Sequence, residues 1–295
     1  FFPQIVQLLL QTTEARSGDD GCFLWFWWSV ASHAQSLTHG RDAFAMISQV
    51  CQTGCLDTIQ PPQRVTCSET MLAASIDQIQ ISKASGSLGA FVTGVSLKDV
   101  VSSDAIYRAV RGLLVQHEVL FFRDQEQTPS VFAAFAQAFG AVLGHPAYAT
   151  VAEAPDVQIL ESTPENPSKI EVWHSDMTFM ARPPSFTLLQ GQIIPAFGGD
   201  TLWASATAAF DALSPQMQAF LLPLQAVNDF RHGFRESLAE PGGPERLAPA
   251  IAENPPMVHP LIRTHPESGR KAIYVNALFT THIVGLPGKE SEALL

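Results

Sequence analysis

Two side chains that bind metals well, His174 and Asp176, stand two positions apart in Glu171-Val172-Trp173-His174-Ser175-Asp176-Met177-Thr178-Phe179. In an extended strand, alternate side chains share a face, so this imidazole and carboxylate can reach one point in space. Such a pair supplies two corners of the 2-His-1-carboxylate triad, which holds non-haem Fe(II) and leaves positions open for a co-substrate and oxygen. The competing reading is a histidine satisfied within an apolar strand, since His-x-Asp is a short match. Other chemistries lack their parts. There is no Gly-x-Ser-x-Gly nucleophile elbow, and no His-Glu-x-x-His pattern for a zinc hydrolase. His259 and His265 precede prolines near turns, where a structural role is expected, and His33, His39 and His117 have no companions that suggest chemistry.

The elements that must position this pair read most clearly from Ile76 onward. Gln78 to Ile81 and Gly89 to Val95 are short strand candidates, and Ser103 or Asp104 caps a helix with Ile106, Val110, Leu113 and Leu114 on its buried face. Val119 to Phe122 has strand length. Thr128-Pro129 then supplies an N-cap and first-turn proline for a helix whose stripe of Phe132, Phe135 and Phe139 reads as core. Strands are expected at Val157 to Leu160, through His174, from Ser185 to Ile194, at Leu224 to Phe230, at Met257 to Arg263 and at Lys271 to Val275. Helices are expected at Ala206 to Leu213, at Gln216 to Leu222 and from Glu290, while Phe279 to Val284 is ambiguous. The Pro- and Gly-rich stretch from Glu240 to Pro249 reads as a surface loop. Many short strands broken by turns favour an antiparallel sandwich or barrel carrying helices over a doubly wound parallel sheet.

Composition narrows the partners. With 295 residues and 46% hydrophobic content the chain can bury a sizeable core. A net charge of -11 argues against nucleic acid and against an anionic membrane surface, and no apolar run approaches the roughly 20 residues that span a bilayer. All four cysteines, Cys22, Cys51, Cys55 and Cys67, precede residue 70, as do Trp25, Trp27 and Trp28. That shift in composition, together with Met71 at the head of the regular pattern, leads to the expectation that residues 1–70 are extraneous or disordered and that residues 71–295 form the functional domain.

From Ile76 to Leu295 the chain resembles the taurine/2,4-dichlorophenoxyacetate dioxygenase family of Fe(II)- and 2-oxoglutarate-dependent enzymes. The matching stretches are Val119-Leu120-Phe121-Phe122-Arg123-Asp124-Gln125, Gly144 to Tyr148, Trp173 to Phe179, Pro183-Pro184, Gly198-Gly199-Asp200-Thr201-Leu202-Trp203, His259-Pro260 through His265-Pro266, and Tyr274-Val275-Asn276 with Phe279-Thr280-Thr281. The resemblance implies a mainly β protein with helices (α+β), built as a double-stranded β-helix, or jelly roll. It implies His174 and Asp176 as iron ligands and Thr201 as a hydrogen-bond partner of a 2-oxoglutarate carboxylate. His145, Tyr148, Met177, Phe234 and Phe279 match positions that line the substrate pocket.

The implied reaction hydroxylates a small anionic substrate, taurine or another sulfonate, using O2 and 2-oxoglutarate, and releases succinate and CO2. A hydroxylated carbon next to a sulfonate then breaks down to an aldehyde and sulfite. The implied setting is cytoplasmic, with no nucleic-acid or membrane partner, and is compatible with a homo-oligomer. Ile170 replaces an asparagine of the taurine enzymes, which widens the substrate to other sulfonates, sulfate esters or carboxylates. The family's distal histidine and its arginines match no position up to Leu295, so the domain is expected to be incomplete at its C-terminus. The alternative expectation is a non-catalytic fragment or remnant lacking the third iron ligand.

Overall fold

The computed structural model describes residues 76–125, 127–144, 148–163, 172–195 and 199–295, together with the strand backbones Ile5–Thr13 and Ala43–Ser48. The strands are β1 (Ile5–Thr13), β2 (Ala43–Ser48), β3 (Gln80–Lys83), β4 (Ala90–Thr93), β5 (Val119–Arg123), β6 (Ala141–Leu143), β7 (Ala149–Val151), β8 (Ala154–Ser162), β9 (Phe186–Ile193), β10 (Gln225–Asn228), β11 (Met257–Pro260), β12 (Ile262–Thr264), β13 (Lys271–Ile273) and β14 (Thr280–Ile283). Among the described residues one sheet runs β3-β4-β5-β2-β9-β1-β8-β7, with β6 also paired to β1. A second sheet runs β11-β10-β14, and β12 pairs with β13. Every pairing is antiparallel except β4 with β5. Strand lengths and turns therefore point to the right class, a largely antiparallel β protein with helices. Of residues 1–70 the structure describes only β1 and β2, whose backbones flank β9 in the sheet. The four cysteines lie outside the described residues.

Three helices cover one face of the large sheet: α1 (Leu97–Ser102), α2 (Asp104–His117) and α3 (Pro129–Phe139). Their starts follow from local chemistry. Ser96 and Asp99 form a reciprocal capping box. The hydroxyls of Ser103 and Thr128 accept backbone N–H groups that have no partner within the helix, and Pro129 occupies the first turn of α3, where its missing N–H costs nothing. Phe132, Phe135 and Phe139 are buried as expected, and they pack with Ile106, Val110 and Leu114 against Leu120, Phe122, Phe186 and Leu188 of the sheet.

The chain after β9 forms α4 (Ala206–Asp211), α5 (Pro215–Leu221), α6 (Phe230–Gly233), α7 (Arg235–Ala239), α8 (Gly243–Glu253) and α9 (Gly288–Leu294). Here the Pro- and Gly-rich stretch departs from its expected form, because residues read as a loop belong mostly to α8. Gly242 takes a left-handed conformation just before the helix, and Pro244 falls in the first turn, where it is compatible with helix. Leu247 and Ala250 are buried one turn apart, so packing outweighs the penalty of Pro249 inside the helix. No helix among the described residues is long and apolar enough to cross a membrane.

Candidate metal centre

His174 and Asp176 lie in the connection between β8 and β9, and not on a strand as the alternation suggested. Asp176 opens a turn in which Met177 adopts a left-handed φ of 52° and the Met180 N–H donates to the Met177 carbonyl. The turn nonetheless brings the two side chains to a common point, with His174 Nε2 lying 3.3 Å from Asp176 Oδ1. Each partner is also held from its far side. His174 Nδ1 donates to the Val172 carbonyl at 2.9 Å, which leaves Nε2 as the atom that faces Asp176. Thr187 Oγ1 donates to Asp176 Oδ2 at 3.0 Å.

Burial acts to lower the pKa of His174, but the hydrogen bond and charge of Asp176 and the Val172 carbonyl outweigh it, and the net shift is upward. Tyr148 is close enough to feel the same carboxylate. Burial, and after it the charge of Asp176, pushes the phenol up to about 12, so its hydroxyl stays protonated. The donor set fits a divalent cation in part: one imidazole nitrogen and one carboxylate oxygen, both oriented by bonds from their other ends. Among the described residues no group of three His, Cys, Asp or Glu comes together.

Three of the residues expected to line a substrate pocket do gather. Met177, Phe234 and Phe279 share one apolar cluster with Phe179, Phe230, Leu247 and Leu278. Within it Phe179 packs edge-on against Phe230 and Phe279, at ring separations of 5.1 and 4.9 Å, and Phe230 stacks on Phe234 at 4.3 Å. Thr201 is half-buried in the segment before α4, and among the described residues it makes no hydrogen bond to His174 or Asp176. His145 and Ile170 lie outside the described residues.

Behind the turn lies a buried polar network that residue types alone did not reveal. Asn276 Nδ2 donates to Thr178 Oγ1 at 3.1 Å, and the hydroxyls of Thr178 and Thr280 both donate to Asn228 Oδ1. Asn276 Oδ1 in turn accepts the N–H groups of Leu278 and Phe279, which fixes the bend that presents Phe279. His259 has the structural role its position suggested: its Nε2–H donates to the Met180 carbonyl at 3.0 Å, tying β11 to the end of the metal turn. His265 is structural too, its Nδ1 accepting the N–H groups of Glu267 and Ser268. Thr187 carried no signal beyond its place in a strand. The helix-covered face of β9 takes Phe186 and Leu188, so alternation sends Thr187 to the opposite face.

The family model described as "Taurine catabolism dioxygenase TauD, TfdA family" matches residues 80–295. The chain belongs to that family. It is 31% identical over 229 residues to an alkylsulfatase of Acinetobacter baylyi, covering 76% of this chain and 71% of that protein. It is 31% identical over 233 residues to an alpha-ketoglutarate-dependent sulfonate dioxygenase of Saccharomyces cerevisiae, covering 75% of this chain and 55% of that protein. Among solved structures, a taurine dioxygenase from Burkholderia xenovorans superposes with a TM-score of 0.57 at 30% identity, over 74% of this chain and 70% of that one. By family membership this is an enzyme of the α-ketoglutarate-dependent dioxygenase class, an oxidoreductase.

Proposed function

We propose that the protein is an Fe(II)- and 2-oxoglutarate-dependent dioxygenase acting on a small anionic substrate of the sulfonate or sulfate-ester class. The observation that carries this reading is the convergence of His174 Nε2 and Asp176 Oδ1, each tethered from behind. The names of the relatives, which include a sulfate ester dioxygenase of Pseudomonas putida, support the substrate class. In this reading the fold is a jelly roll, the functional domain runs from residue 71 to 295, and the protein works in the cytoplasm. A chain starting at Met71 that keeps its thermal midpoint supports that boundary; a large loss makes β1 and β2 part of the domain.

His174 and Asp176 would hold the iron. Bound iron supplies the activation of O2 that is coupled to decarboxylation of 2-oxoglutarate to succinate and CO2. Thr201 would donate a hydrogen bond to a carboxylate of that co-substrate. Met177, Phe234 and Phe279 would form the apolar wall that keeps water from the reacting carbon, a role suited to their shared cluster. Tyr148, protonated at neutral pH, would offer its hydroxyl as a donor to the anionic head group, joined by His145.

The test is product analysis with ferrous iron, 2-oxoglutarate and a panel of alkylsulfonates, alkyl sulfates and phenoxyacids. Sulfite or sulfate released in step with succinate is the expected result. Release of neither, with succinate formed from 2-oxoglutarate only when a carboxylate substrate is present, overturns the substrate class. The alternative, a remnant that binds without turnover, starts from the observation that no group of three His, Cys, Asp or Glu side chains comes together among the described residues. It predicts no succinate with any member of the panel.

A further inference from the structure

We propose that Thr187 is a positioning residue for the metal site, acting through Asp176; this rests on the reading of His174 and Asp176 as metal ligands. A carboxylate turns about its last torsion with a broad, roughly two-fold profile, so it can present either oxygen. In this structure the Thr187 hydroxyl engages one of them. Thr187 Oγ1 donates to Oδ2 at 3.0 Å, and Oδ1 is the oxygen left facing His174 Nε2.

The two ends of that bond differ in rigidity. Asp176 stands in a turn, next to a non-glycine residue with a left-handed backbone. Thr187 stands in β9, anchored by fully buried Phe186 and Leu188 on either side of it in the chain. Thr187 is itself only 6% exposed. Its branched Cβ restricts χ1, which lowers the entropy lost in aiming the hydroxyl. A rigid donor bonded to one carboxylate oxygen holds a loop-borne ligand in the orientation it needs. Outer partners of this kind change metal affinity by roughly 10–100-fold when removed.

Cobalt(II) is a suitable probe, because its visible absorption reports coordination without turnover. Titrations of the unsubstituted protein, Thr187→Val, Thr187→Ser, Thr187→Ala and Asp176→Ala should be paired with thermal midpoints of the metal-free proteins. Valine keeps the shape and strand preference of threonine and removes only the hydroxyl. The expected result is a loss of affinity of about 10–100-fold in Thr187→Val and Thr187→Ala, with Thr187→Ser close to the unsubstituted protein. If Thr187→Val binds cobalt as tightly as the unsubstituted protein, or Thr187→Ser loses as much as valine, the hydroxyl has no positioning role. A different outcome marks failure of the underlying reading: the unsubstituted protein and Asp176→Ala binding cobalt equally would remove Asp176, and Thr187 with it, from any metal site.

Discussion

Acidification should destabilise this domain through two histidines that have no part in its chemistry. Burial, and then the nearby Arg263 guanidinium, lowers His259 from an ordinary 6.5 to about 4, against the opposing pull of the Met180 and Thr178 carbonyls. Burial, and then Arg270 and Arg111, lowers His265 to about 3. Both groups bind protons less readily folded than unfolded. Their contribution is therefore fully present above about pH 6.5 and is lost as the pH falls towards about 4 and about 3 respectively. At about pH 4.5, some two units below the unfolded value, each imidazole costs on the order of 3 kcal/mol. The sum is comparable with the whole stability of a typical domain, about 5–15 kcal/mol. Urea unfolding between about pH 7.5 and pH 4.5 measures it.

Carboxylates also titrate in that range, so the comparison that isolates the histidines is with His259→Gln, which keeps an N–H for the Met180 carbonyl, and with His265→Asn, which keeps an acceptor for the two turn amides. Each variant should flatten the slope of stability against pH by up to about 1.4 kcal/mol per unit, one proton's worth. An unchanged slope in both variants refutes the assignment of acid sensitivity to these sites.

Two glycine substitutions probe the scaffold and the pocket wall separately. Gly94 has a φ of 79°, and an added Cβ would fall 1.9 Å from the Gln78 carbonyl oxygen, which is backbone. Gly94→Ala should therefore lower stability by about 2 kcal/mol or more, read as a drop in urea midpoint, with no selective effect on metal affinity. Gly233 packs against Phe279, and a Cβ there would lie 2.3 Å from the ring. Because the obstacle is a side chain, Gly233→Ala should displace Phe279 and alter KM across substrates of different size, while the cobalt affinity of the protein stays unchanged.

The sequence was most legible where local rules act alone. Thr128-Pro129 marked a helix start because a hydroxyl cap and a proline without an N–H satisfy the same helix end. The phenylalanine stripe of α3 was readable because helical spacing puts those rings on one face. Legibility failed where tertiary contacts decide. The Pro- and Gly-rich stretch became α8 because Leu247 and Ala250 find the apolar cluster around Phe230 and Phe279. His174 and Asp176 converge through a turn rather than a strand, and what fixes that turn is distant in sequence: Asn228, His259 and Asn276. Thr187 is eleven residues from Asp176, and no spacing rule connects a strand residue to a carboxylate in the preceding loop. The family resemblance supplied residues that periodicity could not, and of these Met177, Phe234 and Phe279 gather in one cluster while Tyr148 feels the Asp176 charge.

The most direct measurement is succinate formed from 2-oxoglutarate by the protein with a sulfonate or sulfate ester, with and without ferrous iron, beside Asp176→Ala and His174→Ala. Succinate that requires ferrous iron and falls to background in both variants is the expected result. Succinate formation that persists in Asp176→Ala, or activity supported by zinc and not by iron, would contradict the assignment of this pair as the iron site.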